Sequence, residues 1–185
     1  MQKKDNIYEQ PLEHTGNFVF DEKVARVFPD MVKRSVPGYS NVIAGTGLIA
    51  AEYMQPGSRC YDLGCSVGAS TFAALEQIRQ DDFEIICVDN SASMIEQCQQ
   101  NIAAADHAGK VSCICADIQD IGISNASVVI LNYTLQFVPL EHRDALLQAI
   151  HRGMNPDGVL VLSEKLAFAS QAEQLHQTRL HESFK

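Results

Sequence analysis

The run Arg59-Cys60-Tyr61-Asp62-Leu63-Gly64-Cys65-Ser66-Val67-Gly68-Ala69-Ser70-Thr71 decides the fold. It opens as a short apolar strand, Arg59–Leu63, and then breaks at two glycines four residues apart. Gly64 and Gly68 let the backbone turn tightly and approach a ligand closely. A helix over Ser70–Gln80 follows, and the amides that open it offer donors without partners inside the helix. The spacing is not the GxGxxG of dinucleotide enzymes, because Cys65-Ser66 stands where the second glycine is needed. That counts against a nicotinamide cofactor.

The same rhythm continues towards the C-terminus. Strands are expected at Glu84–Val88, Val111–Ala116, Ser127–Leu131 and Val159–Leu162, with helices at Ser91–Ala104 and Glu141–Arg152 between them. Asn155-Pro156-Asp157-Gly158 reads as the turn before the fifth strand. Strands apolar on both faces and alternating with helices predict a doubly wound α/β fold, with a mostly parallel sheet covered on both sides. The tail SQAEQLHQTRLHESFK reads as a weakly amphipathic helix marked by Leu175, Leu180 and Phe184.

Towards the N-terminus, roughly residues 18–54 read as helical. Asp21 is a candidate N-cap, Pro29 interrupts the pattern, and Pro37-Gly38 marks a turn. The expected organisation is a helical segment over 1–56 lying over the ligand site and a nucleotide-binding core over 57–185, together one domain. Residues 1–18 hold basic residues with no apolar stretch behind them, so they do not read as a secretory signal.

Composition narrows the function classes. A net charge of −9 on 185 residues disfavours a direct grip on nucleic acid, which calls for a basic patch. No apolar run reaches the roughly 18 residues of a membrane span. The six cysteines form no CxxC pair, and most fall in apolar runs where cysteine packs as a small hydrophobe. Reduced thiols in a cytoplasmic protein, with no metal site, are the simplest reading. His176 and His181, five apart, do not share a helical face.

In open α/β sheets ligands bind beyond the carboxyl ends of the strands, so the residues just after each strand carry the chemistry. After the first come Gly64, Cys65 and Ser66; after the second, Asp89 and Asn90, where a carboxylate suits the two hydroxyls of a ribose. After the third, Asp117 is placed to accept from an adenine amine while the Ile118 N–H reaches a ring nitrogen. After the fourth, Asn132 heads the loop Asn132-Tyr133-Thr134-Leu135-Gln136-Phe137. Tyr39 offers an aromatic face suited to a cation. No paired carboxylates for acid–base work occur in these loops, and no catalytic residue is singled out.

The segments Val27-Phe28-Pro29-Asp30-Met31, RSVPGYSN (34–41), YDLGCSVGAST (61–71), VDNSASMIE (88–96), NASVVILNYTLQF (125–137) and LVLSEK (160–165) resemble the carboxy-S-adenosyl-L-methionine synthase family, a branch of the class I S-adenosyl-L-methionine-dependent methyltransferase superfamily. The likeness runs from about Phe18 to the end of the chain. It implies a Rossmann-like core, S-adenosyl-L-methionine as cofactor, and conversion of that compound and prephenate to carboxy-S-adenosyl-L-methionine and phenylpyruvate. A sulfonium acidifies its own methyl group, so an ylide in a water-poor pocket could capture the carbon dioxide that prephenate loses. The product would serve a partner tRNA carboxymethyltransferase that builds wobble uridine 5-oxyacetic acid, and the family likeness also implies a homodimer. Cofactor contacts implied by it fall on Tyr39, Gly64, Cys65, Ser66, Asp89, Asn90, Asp117, Ile118 and Asn132. Family members continue past position 185 with a sixth and a seventh strand and an arginine for the new carboxylate; within this chain Lys165 is the strand-end cation. Without those strands, the fifth is expected to be an exposed apolar edge that invites association. An ordinary small-molecule methyltransferase and an inactive cofactor-binding fragment are the alternatives.

Overall fold

The computed structural model describes residues 21–105 and 110–184; the N-terminal reading over 1–18 lies outside them. Five parallel strands form one sheet: β1 (Ser58–Leu63), β2 (Phe83–Asp89), β3 (Val111–Cys115), β4 (Ala126–Asn132) and β5 (Met154–Ser163). Their spatial order is β3-β2-β1-β4-β5, so the chain winds outward from β1 to β3 and then restarts on the other side of β1. This reversal puts a switch point between β1 and β4, where such sheets hold their ligands. The predicted doubly wound fold is the observed one.

Among the described residues six α-helices accompany the sheet: α1 (Glu22–Ser35), α2 (Tyr39–Tyr53), α3 (Ala69–Gln77), α4 (Ala92–Ala104), α5 (Leu140–Gly153) and α6 (Gln171–Phe184). One face of the sheet packs Cys60, Ile85, Cys87, Val128 and Ile130 against Ala50 of α2, Met54 just after that helix, Ala74 and Leu75 of α3, and Ile95, Cys98 and Ile102 of α4. The other face packs Tyr61, Leu63, Val88, Val129 and Leu131 against Leu146 and Ile150 of α5. The central strands β1, β2 and β4 are therefore buried on both sides. At the edges, Ile114 of β3 and Leu162 of β5 are 37% and 45% exposed. A smaller apolar cluster joins Val24 and Ala25 of α1 to Val67 in the glycine loop and Met94 of α4.

Several local expectations shift. Asp21 does cap α1, accepting the Val24 N–H at 2.9 Å, but Pro29 does not interrupt the helix. Proline removes one helical N–H and leaves φ helical. Here the N-cap, the Arg26–Glu22 and Arg34–Asp30 pairs, and packing of Val24 and Ala25 carry the helix across it. Helix α3 stops at Gln77, because Ile78 turns extended and Gln80 instead donates to the Met54 carbonyl at 2.9 Å. The Asn155–Gly158 turn lies inside β5 as an irregularity in its pairing with β4, with Asp157 at φ 62°. The tail is helical, but Leu175, Leu180 and Phe184 are about half exposed and add nothing to the core. No described helix is long and apolar enough to cross a membrane.

Candidate functional site

All five strands point the same way, so their carboxyl ends share one edge. The turn after β1 is pinned to β2, with Gly64 N–H and Cys65 N–H both donating to the Val88 carbonyl, at 2.8 and 3.0 Å. Gly64 sits at φ 78°, and a Cβ there would fall 2.3 Å from Thr134 Oγ1 in the loop after β4. Only a glycine lets these two loops approach across the switch point. Ser66 also adopts a left-handed φ of 51°. Its N–H, turned towards β2, donates to Asp89 Oδ2 at 2.9 Å.

Asp89 ends β2 and engages both carboxylate oxygens, with Oδ1 accepting the Ser91 N–H at 2.9 Å. The N-cap of α4 is Ser91, whose Oγ accepts the Met94 N–H, so Asp89 is spared that duty. Burial raises the Asp89 pKa, and the two backbone donors oppose the rise. The carboxylate is thus a latch between two loops, with lone pairs left for hydroxyl donors.

Sequence reasoning gave no role to Asp62, which lies within β1 and is 2% exposed. Its Oδ2 accepts both the Thr71 N–H at 3.1 Å and the Thr71 hydroxyl at 2.7 Å. One of the helix-opening donors of α3 is therefore already taken by an anion from inside the chain. Burial still dominates, and the Asp62 pKa rises to about 6. An acid in an otherwise apolar strand was the available signal.

Asn132, at the end of β4, donates through Nδ2 to Thr46 Oγ1 and Ser70 Oγ, each at 3.0 Å. Thr46 spends its one proton on the Val42 carbonyl at 2.9 Å, so it faces Asn132 as an acceptor. This fixes the amide orientation and leaves Asn132 Oδ1 pointing away, buried and without a partner among the described residues. A buried acceptor left unpaired costs about 1–3 kcal/mol, and calls for a donor beyond the described residues, a role that a ligand's ammonium or hydroxyl can fill. Neither Thr46 nor Ser70 carried any sequence signal.

Tyr39 begins α2 just after Gly38, which is left-handed at φ 73°. Its ring lies 6.1 Å from that of Tyr133, itself held at φ 59°. Burial, with the negative charge of Asp62 behind it, pushes the Tyr39 pKa up to about 12, so the phenol stays neutral. Tyr133 and Thr134 were legible only as part of a motif.

The remaining sequence candidates are less closely joined. Asp117 follows β3, whose Cys115 is in register with Asp89, and its Oδ1 accepts the Gln119 backbone and side-chain donors at 2.9 and 3.1 Å. Ile118 is buried in the core beneath the edge. Asn90 is exposed, Lys165 is exposed, and the Cys65 side chain turns inward, leaving only its backbone towards the crevice. A groove of about 360 Å³ runs along α5, lined by Asp144, Leu147, Gln148, His151 and Arg152. None of these residues is at a strand end.

A methyltransferase-domain family matches residues 60–158 of the chain. A carboxy-S-adenosyl-L-methionine synthase from Geobacter sp. (strain M21) is 51% identical over 184 residues, covering 99% of this chain and 75% of the relative. The synthase of the same name from Vibrio cholerae is 48% identical over 185 residues, covering 100% of this chain and 75% of its own length. The chain belongs to the carboxy-S-adenosyl-L-methionine synthase family. The fold has wider company: a crystal structure from Methanococcus maripaludis, described as an S-adenosyl-L-methionine-dependent methyltransferase, superposes with a TM-score of 0.62 at 20% identity, covering 92% of this chain and 78% of that one. As a member of this family the chain uses S-adenosyl-L-methionine as its cofactor. The switch-point residues fit such a molecule. The glycine turn admits a close backbone approach, Asp89 has acceptor capacity for hydroxyls, and Asn132 Oδ1 lacks a donor among the described residues.

Proposed function

We propose that this chain carries the carboxyl-transferring activity of its family, making carboxy-S-adenosyl-L-methionine and phenylpyruvate from S-adenosyl-L-methionine and prephenate. The observation that carries the reading is the carboxyl edge of the sheet, where Asp89 ends β2 and Asn132, its Oδ1 unpaired among the described residues, ends β4, one on each side of β1 and its glycine turn. In this reading Gly64, Cys65 and Ser66 supply backbone, Asp89 and Asn90 hold the ribose, and Asp117 and Ile118 meet the adenine. Asn132 accepts from the ammonium of the methionine portion, and Tyr39 lies over the sulfonium. The aromatic pair suits a sulfonium, since a neutral ring face attracts a cation.

The reaction balances without a protein acid–base pair. Prephenate loses its ring carboxyl group as carbon dioxide and its hydroxyl group, leaving phenylpyruvate. The sulfonium methyl carbon gives up a proton to that hydroxyl, forming water, and its electron pair bonds the carbon dioxide. Holding the two reactants together and excluding water are then the protein's tasks. The product would feed the tRNA wobble-uridine enzyme, which fits a chain of net charge −9 that need not grip RNA.

The test is incubation with S-adenosyl-L-methionine and prephenate, followed by mass spectrometry. A cofactor heavier by one carboxyl group, with phenylpyruvate in equal amount, is expected. Cofactor binding with no such product, or S-adenosylhomocysteine formed with a methyl acceptor, would overturn the proposal.

A further inference from the structure

Beneath the glycine turn, four cysteines from four separate elements meet. Cys65 follows β1, Cys87 lies in β2, Cys98 in α4 and Cys113 in β3. Cys87 and Cys113 are directly paired across the parallel strands, so both side chains leave the same face. Cys98 sits between Ile95 and Ile102 on the helix face that covers them. The sulfurs of Cys65, Cys87 and Cys98 all lie within 4.8 Å of one another, and those three residues are buried. Cys113 Sγ is 4.0 Å from Cys98 Sγ, and its residue is only partly covered.

We propose that Cys65, Cys87 and Cys98 form a three-sulfur site for a soft d10 cation, Zn(II) in the first place, tying the cofactor turn to β2 and α4. A zinc–thiolate bond of about 2.3 Å places sulfurs about 3.8–4.0 Å apart in tetrahedral or trigonal arrangement, so the cluster needs only a small contraction to close on an ion. An all-sulfur donor set selects thiophilic metals over magnesium or calcium. Charge selects further. Three thiolates leave −1 with Zn(II) but −2 with Cu(I), and the buried carboxylate of Asp62 acts on the same cluster, so the divalent ion is favoured.

The titration of the thiols agrees with this geometry. Cys65, then Cys87, facing the Cys98 sulfur, pull its pKa down to about 6, whereas Cys65 itself is pushed up. Zn(II) binds thiolates, so its entry would release protons from the cluster. Cys113, pushed up by Cys87 and by burial, stays a thiol beside the three ligands. Because Cys65 belongs to the cofactor turn and Cys98 packs under Gly68, the ion would brace the loop from below. Nothing in the spacing 65, 87, 98 resembles a metal motif; only the winding of β1, β2 and α4 assembles it.

The test is equilibration of the reduced, tag-free chain with ZnCl2, followed by dialysis and elemental analysis. One zinc per chain is expected, with an X-ray absorption spectrum showing about three sulfur neighbours at about 2.3 Å. Cys98→Ser and Cys87→Ala should each weaken zinc binding roughly a hundredfold or more, and Cys115→Ser, outside the cluster, should not. Well under one zinc per chain, a shell of nitrogen or oxygen, or binding lost in Cys115→Ser would overturn the proposal. Should a cluster variant fail to fold, the absorption spectrum of the unaltered chain decides by itself.

Discussion

Replacing Asp89 with asparagine separates its two tasks. The carboxylate accepts the Ser66 and Ser91 N–H groups, one on each oxygen, both at 2.9 Å. An amide of the same shape keeps one acceptor and turns its NH2 towards the other donor, so one backbone N–H loses its partner. That loss costs about 1–3 kcal/mol. It is partly offset, because burial disfavours the charged carboxylate, as its raised pKa shows, and the neutral amide escapes that penalty. The free protein should therefore lose only about 0–2 kcal/mol of stability. Cofactor binding has no such offset. Each charge-assisted bond to a ribose hydroxyl contributes about 1.5–3 kcal/mol, so losing one weakens affinity roughly ten- to a hundredfold. Calorimetric titration of Asp89→Asn with S-adenosyl-L-methionine, beside its thermal melt, reads both quantities. Affinity within about threefold of the parent together with a lowered Tm would refute the ribose assignment and leave Asp89 as a latch alone.

Three further outcomes follow from the same geometry. Asn132→Ala removes two donated bonds but also the unpaired Oδ1, so thermal stability should change by about 1 kcal/mol or less while cofactor affinity falls at least about tenfold; an unaltered affinity in calorimetry would refute its role. Gly64→Ala should abolish cofactor binding and lower Tm strongly, because its Cβ meets Thr134 at 2.3 Å, and Thr134→Ala in that background should restore part of the Tm; no restoration would show that the loops do not touch as described. Asp62 titrates at about 6 in the folded state against 3.8 for its ordinary value, so the native state holds the proton more tightly between those pH values. Its contribution is a penalty that is absent below about pH 4 and fully present above about pH 6, reaching about 3 kcal/mol. Denaturant unfolding of Asp62→Asn, whose carbonyl oxygen can still accept from Thr71, should therefore gain on the parent as pH rises from 4 to 7, and a gap that narrows with pH would reverse the sign.

The alternation of apolar runs with helical segments determined the fold class, because buried parallel strands and their covering helices impose those periods directly on the chain. The glycines at 64 and 68 and the acids at 89 and 117 were legible for the same local reason, since each stands where an apolar run ends. Tertiary structure decided what those residues do. Asp62 is an anion at the start of α3 only because β1 is packed beneath that helix, and a strand's sequence carries no record of its covering helix. Thr46 and Ser70 orient Asn132 from 86 and 62 residues away, a relation created only by α2 and α3 folding onto β4. The meeting of Cys65, Cys87 and Cys98 is of the same kind: long-range packing, not spacing along the chain, brings the three sulfurs together.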